Sequence, residues 1–234
     1  MNYFAHGVRF LDDPYRMAGT AVPDWLSVAD RRLRLRPHRI GPLVGDAEPV
    51  AAAVAQGIRH HLEDDARFHR TRAFVELSLA LTVSARDALD EPMGLRPAFV
   101  GHFLVEVLLD AALIAENIPR AERYYRALEE VDADRVQQAV NRMVAQPTDR
   151  LAETIRRFCR ERILWDYLED VTLLKRLNQV LRRVRLAELP ERFLARLPSA
   201  RRLVASRRQE LFDEVCRVER IGRDGKPFGP TFAD

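Results

Sequence analysis

Residues 98–116 place the tightest constraint on the fold. Phe99, Val100, Phe103, Leu104, Val105, Val107, Leu108 and Leu109 are spread around this segment, so as a helix it is apolar nearly all round and has to be buried. Its ionisable residues His102, Glu106 and Asp110 stand at i, i+4 and i+8, on one helix face. A buried carboxylate is costly unless it is paired or bound to a cation. The chain must therefore wrap other elements around this helix and bring counter-charge to its polar stripe. Either a metal site or a network with arginines of the C-terminal third meets that demand. The three polar residues also interrupt the run before it reaches the roughly 20 apolar residues that span a bilayer.

The remainder carries the same 3.6-residue period and no convincing alternation, which predicts an all-α fold. A short helix is expected over residues 2–10. Pro23, suited to a first helical turn, opens a second helix to about Leu35. Residues 36–49, with three prolines and two glycines, read as a loop. Strong helices follow over 50–68 and 71–89, then a break over 90–97 before the central helix. Pro119 and Asp132 open two shorter helices. Asp149 is placed to cap a long helix from Arg150 to about Arg185, and Ser199 one to about Val218. The expected organisation is a helical metal-binding core (1–150), a basic helical region packed on it (151–220) and an irregular tail (221–234).

Composition narrows the function. The hydrophobic share is 47% and the charged share 31%, enough for a packed core with a solvated surface. The net charge of +3 is uneven: residues 151–220 carry 17 basic and 11 acidic side chains, residues 1–150 carry 19 and 22. A basic C-terminal third can attract an acidic partner, although acidic residues interleaved throughout also suit a solvated helical face. Arg182, Arg183 and Arg185 form its densest cluster, with Arg201, Arg202, Arg207 and Arg208 the next. Nucleic acid and membrane are not expected partners. Residues 1–10 lack the pattern of a signal peptide. Cys159 and Cys216, two distant cysteines, make neither a disulfide framework nor a zinc cluster, and a reducing cytoplasm is expected. No phosphate-binding glycine loop or nucleophile elbow is present. Cys159 has cationic neighbours but no paired base.

A second polar stripe joins His61, Asp65 and His69, again at i, i+4 and i+8. Each step of four turns a helix by about 40° and rises by about 6 Å, so neighbours can share an ion but the ends, about 12 Å apart, cannot. The stripe fits two metals, or one metal plus an acid or base, or simply a hydrophilic surface. His60 and Asp64 form a parallel stripe that points elsewhere. His6, in an apolar opening segment, and Asp24, beside Pro23 and Trp25, complete the candidate ligands. Asp24 could instead serve a helix dipole, and His6 could be a satisfied core histidine. His38, in the Arg/Pro-rich loop, is expected at the surface.

Four blocks carrying these residues resemble the acyl carrier protein phosphodiesterases, helical outliers of the HD metal phosphohydrolases. They are Met1-Asn2-Tyr3-Phe4-Ala5-His6, Gly19-Thr20-Ala21-Val22-Pro23-Asp24-Trp25, Gly57-Ile58-Arg59-His60-His61-Leu62-Glu63-Asp64-Asp65 and Gly101-His102-Phe103-Leu104. Order and intervals agree over residues 1 to about 110. The resemblance implies an HD-like domain and a metal-dependent phosphodiesterase, with Mn2+ ahead of Mg2+, Fe2+ or Zn2+. Such an enzyme releases phosphopantetheine from an acidic holo carrier protein. It also implies His6, Asp24, His61, Asp65 and His102 as metal ligands. Asp65 and His69 are the catalytic candidates, and Glu106 and Asp110 are candidates to orient the histidines.

The sequence departs from that pattern in three places. Gly101 stands where the family carries an aspartate, His69 stands where a further aspartate is usual, and the contiguous His-Asp pair of ordinary HD enzymes is absent. His69, Glu106 or Asp110 could take over as ligands. Two other readings stay open. One is a different helical metal hydrolase or carboxylate-bridged metal bundle; the other is a non-enzymatic helical adaptor.

Overall fold

Asp13 starts the first long helix, accepting a hydrogen bond from the Arg16 amide at 3.1 Å while Pro14 fills the first turn. The computed structural model describes residues 1–89 and 95–212. Its helices are α1 (Tyr3–Gly7), α2 (Pro14–Ala29), α3 (Pro37–Ile40), α4 (Pro49–Phe68), α5 (Arg72–Ala88), α6 (Leu95–Glu116), α7 (Ile118–Glu129), α8 (Ala133–Asn141), α9 (Leu151–Glu161), α10 (Asp170–Arg183) and α11 (Leu197–Ser206). Three short 3₁₀ turns join them, and no strand occurs among the described residues. The fold is all-α.

Many helix starts follow from local chemistry. Glu48 caps α4 at the Ala51 amide with Pro49 behind it. Thr71 caps α5, Asn117 caps α7 and Asp132 caps α8, each accepting from amides of the first turn. The expected break over 90–97 lies outside the described residues up to position 94, and α6 is already helical through Pro97. The expected tail at 221–234 also lies outside them, as does position 218, but the expected last helix is already interrupted within them, because α11 ends at Ser206 before a turn at Arg207.

Five expectations need correction, the first being Ser199, which does not cap the last helix: α11 starts at Leu197, and the Ser199 hydroxyl donates to the Arg196 carbonyl oxygen. Pro23 lies inside α2 rather than at its start, and α2 ends at Ala29, with Asp30 extended, rather than near Leu35. An interior proline costs roughly 3 kcal/mol, which is outweighed because α2 buries Met17, Val22, Trp25 and Leu26. Residues 36–49 are not plain loop: α3 and a 3₁₀ turn at Gly41–Leu43 bury Ile40 and Leu43. Asp149 does not cap α9, whose N-cap is Arg150 without a side-chain bond. The long helix over 150–185 is broken, because Arg162 adopts a left-handed conformation at φ 46°. The 3₁₀ turn Ile163–Tyr167 then feeds Leu164 and Tyr167 into the core. The Leu164 amide donates to the Tyr125 hydroxyl at 3.0 Å and Asn2 donates to the Tyr167 hydroxyl at 3.1 Å.

One apolar core runs through the structure. It includes Phe4, Met17, Trp25, Ile58, Leu104 and Leu108 together with Ile155, Leu173, Phe193 and Val204 of the basic region. α6 crosses this core against α1, α5 and α11. By length and composition α6 could cross a membrane, but more than half of it is buried within the fold and its polar stripe meets other elements.

Candidate metal centre

The centre is assembled where α1, α2, α4 and α6 meet, and two glycines set the closest of these approaches. A Cβ on Gly57 of α4 would lie 2.1 Å from the Arg16 carbonyl oxygen and 2.7 Å from the Gly19 Cα. Only paired glycines let α2 and α4 cross at this separation. The crossing seats the His61 imidazole on α2, with Nδ1 2.8 Å from the Thr20 carbonyl oxygen. A carbonyl only accepts, so Nδ1 carries the proton and Nε2 presents its lone pair.

That lone pair faces Asp65, one turn on, with His61 Nε2 3.4 Å from Oδ2. From α1, His6 stacks on His61 with ring centroids 4.1 Å apart, and its Nε2 lies 3.2 Å from Asp65 Oδ1. Ligands bound to one ion at about 2.0–2.2 Å are separated by roughly 3–3.5 Å, the spacing of each imidazole nitrogen from the Asp65 carboxylate. All three donor atoms fall within 4.8 Å of one another. His6 is 0% exposed, yet neither of its ring nitrogens makes an aligned hydrogen bond. Burying such a group without a partner is costly, and a cation between the three donors removes the cost.

The surrounding charges keep the site anionic. Burial pushes the Asp65 carboxyl up, but His6, His61 and the Met1 ammonium outweigh it and hold the group far below the usual carboxylate range. Asp65 therefore suits holding a cation better than carrying a proton. Burial opposes charge on His61, yet the negative charges of Asp65 and Asp24 favour its protonated form and raise its pKa, so a cation at Nε2 has to displace that proton. Asp24 is itself raised, first by burial. Its Oδ2 is buried without a hydrogen-bond partner, but Asp24 stands outside the group of donor atoms that come within 4.8 Å of one another, so the expected ligand Asp24 is not brought together with His6, His61 and Asp65.

Two carboxylates orient His6. Asp110, fully buried on α6, accepts the amides of Phe4 and Ala5 at 2.9 and 2.8 Å, so it fixes α1 rather than touching a donor. Burial raises its pKa to about 7 despite those two bonds. Asp64 lies 3.7 Å from His6 Nδ1 and is ion-paired with Arg9. The sequence pattern turned Asp64 and His60 away from the site. Asp64 instead sits at its back, while His60 stacks on Phe10 and meets Arg16 at 2.9 Å. Asp64 was missed because its partners, His6 and Arg9, lie more than fifty residues away; the adjacent acids Asp64 and Asp65 were the available signal.

A second donor group adjoins the first. His69, the C-cap of α4, places Nε2 3.0 Å from Glu106 Oε1, and His102 places Nε2 3.3 Å from the same oxygen. The Met1 nitrogen joins the groups, 2.8 Å from Asp65 Oδ1 and 3.5 Å from Glu106 Oε1. Burial opposes a charge on Glu106, but that ammonium and both histidines pull its pKa down to about 2. His102 thus belongs with His69 and Glu106, not with His6, His61 and Asp65. At Gly101 a Cβ would lie 2.6 Å from the Thr82 amide nitrogen and 2.7 Å from the Ser78 carbonyl oxygen of α5. A carboxylate at 101 would face α5, so this glycine serves helix packing. His38 is exposed on α3.

Met1, Asp24 and Glu106 also wall a cleft of about 960 Å³ that continues past Phe103 and Trp25 to arginines 31, 34, 150, 157, 176 and 183. Of the basic clusters, Arg183 reaches this cleft. Arg182, Arg201 and Arg208 are paired with Glu188, Asp170 and Glu116, and Arg207 with Glu76 and Glu210. Arg185 and Arg202 are exposed outside the cleft. Comparison with protein-family models, characterised proteins and solved structures found no match to the chain.

Proposed function

We propose that this chain is a metal-dependent phosphodiesterase with an HD-like helical core, acting on the phosphopantetheine ester of an acidic carrier protein in the cytoplasm. One observation carries the reading. Two buried imidazoles, His6 and His61, and the half-buried carboxylate of Asp65 bring their donor atoms within 4.8 Å of one another, with no aligned hydrogen bond at either His6 nitrogen, beside a cleft whose wall carries arginines.

His6, His61 and Asp65 would hold the ion. Imidazole and carboxylate together suit a borderline-hard cation such as Mn2+. A divalent ion bound there supplies Lewis acidity, which makes water a better nucleophile and offsets charge on the phosphoryl oxygens. The residues supply the rest. Thr20 fixes the His61 tautomer, Asp64 and Asp110 set the position of His6, and Asp65 stays anionic. In the hydrolysis a water oxygen joins phosphorus, one P–O ester bond breaks, and the departing oxygen takes the proton that water gives up. Arg183 of the cleft wall offers positive charge to a phosphate-bearing chain, whereas Arg157 and Arg176 of the same wall are paired with Glu161.

The test is turnover of a chromogenic phosphodiester and of a holo carrier protein, with and without Mn2+. Metal-dependent release from both supports the proposal. Turnover of the small ester alone would move the assignment to another helical metal hydrolase. Absence of bound metal and of turnover would leave the helical adaptor.

A further inference from the structure

We propose that His69, His102 and Glu106 hold a second divalent ion, so that the centre is built for two metals with separate donor triads. The inference deepens the phosphodiesterase reading and rests on it for its chemistry, but binding of the ion can be tested on its own.

The geometry is that of a ligand set rather than a surface ion pair. His69 and His102 come from different helices, yet each presents Nε2 to the same Glu106 oxygen, at 3.0 and 3.3 Å. The three donor atoms lie within 4.8 Å of one another. The two imidazoles are stacked, centroids 4.8 Å apart, an arrangement that would be repulsive if both were protonated. Phe74 of α5 packs its edge against both rings, at 4.8 and 4.9 Å, and Phe68 packs against His69 at 5.5 Å. Ring positions are therefore set by packing before any ion arrives, as a preorganised site requires.

The chemistry follows from the donors. Two imidazoles and one carboxylate form the triad used by open, catalytic Zn2+ and Fe2+ sites. The His102 side chain is 46% exposed, so solvent and substrate can reach the remaining coordination positions. The two triads also face one another. A single cation, the Met1 ammonium, already contacts the carboxylates of both, Asp65 at 2.8 Å and Glu106 at 3.5 Å. Paired ions clamp the attacking and leaving oxygens of a phosphodiester, which gives this second triad a role in the proposed reaction.

The experiment is metal content and electron paramagnetic resonance of the whole chain after dialysis against Mn2+, for wild type, His102→Ala, His102→Gln, His69→Ala and Asp65→Ala. Circular dichroism checks that each variant is folded. We expect two equivalents and a spin-coupled signal in wild type. His102 and His69 variants should retain one equivalent, with the signal of an isolated ion. One equivalent in wild type, kept by the His102 and His69 variants but lost in Asp65→Ala, overturns the second site and leaves the first. One equivalent lost in both groups of variants means a single shared ion, which also overturns it. No bound Mn2+ in wild type overturns both proposals together.

Discussion

The His61 imidazole is locked onto the Thr20 carbonyl at 2.8 Å, and this bond decides which nitrogen faces Asp65. It exists because Gly19 and Gly57 let two helices cross in backbone contact. Gly57→Ala would drive a methyl into the Arg16 carbonyl, so we expect overpacking to cost about 1–3 kcal/mol. The same shift should loosen His61 from Thr20 and weaken Mn2+ binding by roughly tenfold or more, the scale of a lost orienting contact. Urea unfolding with a Mn2+ titration checks both. Unchanged affinity in a destabilised variant would show that the crossing does not position His61.

Asp65 contacts His6, His61 and the Met1 ammonium. Asp65→Ala should abolish tight Mn2+ binding and any phosphodiesterase turnover while the protein stays helical. Asp65→Asn, which keeps the shape but not the charge, should bind no better than Asp65→Ala. Calorimetric titration with Mn2+ decides. Wild-type affinity in a folded Asp65→Ala protein would remove this residue from the site.

Asp110 accepts two amides of α1 and touches no donor. Asp110→Asn keeps one acceptor oxygen but turns an amide donor toward the second N–H. A buried unsatisfied donor costs roughly 1–3 kcal/mol. The variant should therefore melt earlier and bind Mn2+ more weakly through displacement of His6. Thermal melts in EDTA and in Mn2+ separate the two effects.

Asp65, His61 and Asp110 are among the groups that shape the pH dependence of the metal-free protein. Asp65 is depressed, so its stabilising contribution is present above about pH 4 and is lost as pH falls. His61 is raised, so its contribution is complete below about pH 6.5 and is lost as pH rises through its folded value. Asp110, raised to about 7, works in the same direction, its contribution fading as pH climbs from about 4 through 7. Metal-free stability should thus be greatest on the acid side and decline toward about pH 8. Mn2+ needs a neutral His61, so the stabilisation it adds should grow with pH. Urea midpoints measured across this range, in EDTA and in Mn2+, should show the optimum moving upward with metal.

Helix identity was legible from a strong apolar stripe, as with Val50, Val54 and Ile58 of α4, whereas the Glu48 cap in front of it lay in what read as loop. The break at Arg162 was not, because no glycine or proline marks it; Tyr125 and Asn2, distant in the chain, hold the turn in place. The stripe at His61, Asp65 and His69 was visible as a period whose ends could not share an ion, but not which partners each end would join. Those partners depend on where α1 and α6 dock. Gly101 read as a missing carboxylate, whereas its surroundings make it a contact point with α5. The arginine clusters read as free positive surface, and the ion pairs that occupy Arg201, Arg207 and Arg208 are long-range or local contacts that composition does not reveal.

Those ion pairs turn a broad prediction about the basic region into a narrow one. Arg183 lines the cleft, and its guanidinium has no hydrogen bond or ion pair among the described residues. Arg202 is exposed but lies outside the cleft. If an acidic carrier protein docks at the cleft mouth, Arg183→Glu should raise KM for that substrate by about tenfold at low salt, because like charge slows association. The effect should shrink as salt brings the screening length below about 10 Å. Turnover of a small neutral-tailed phosphodiester should be unaffected, since no metal donor changes. Arg202→Glu should leave both substrates alone. Equal loss on both substrates in Arg183→Glu would indicate damage to the cleft itself. A carrier-protein KM that responds to Arg202 and not to Arg183 would place the docking surface outside the cleft.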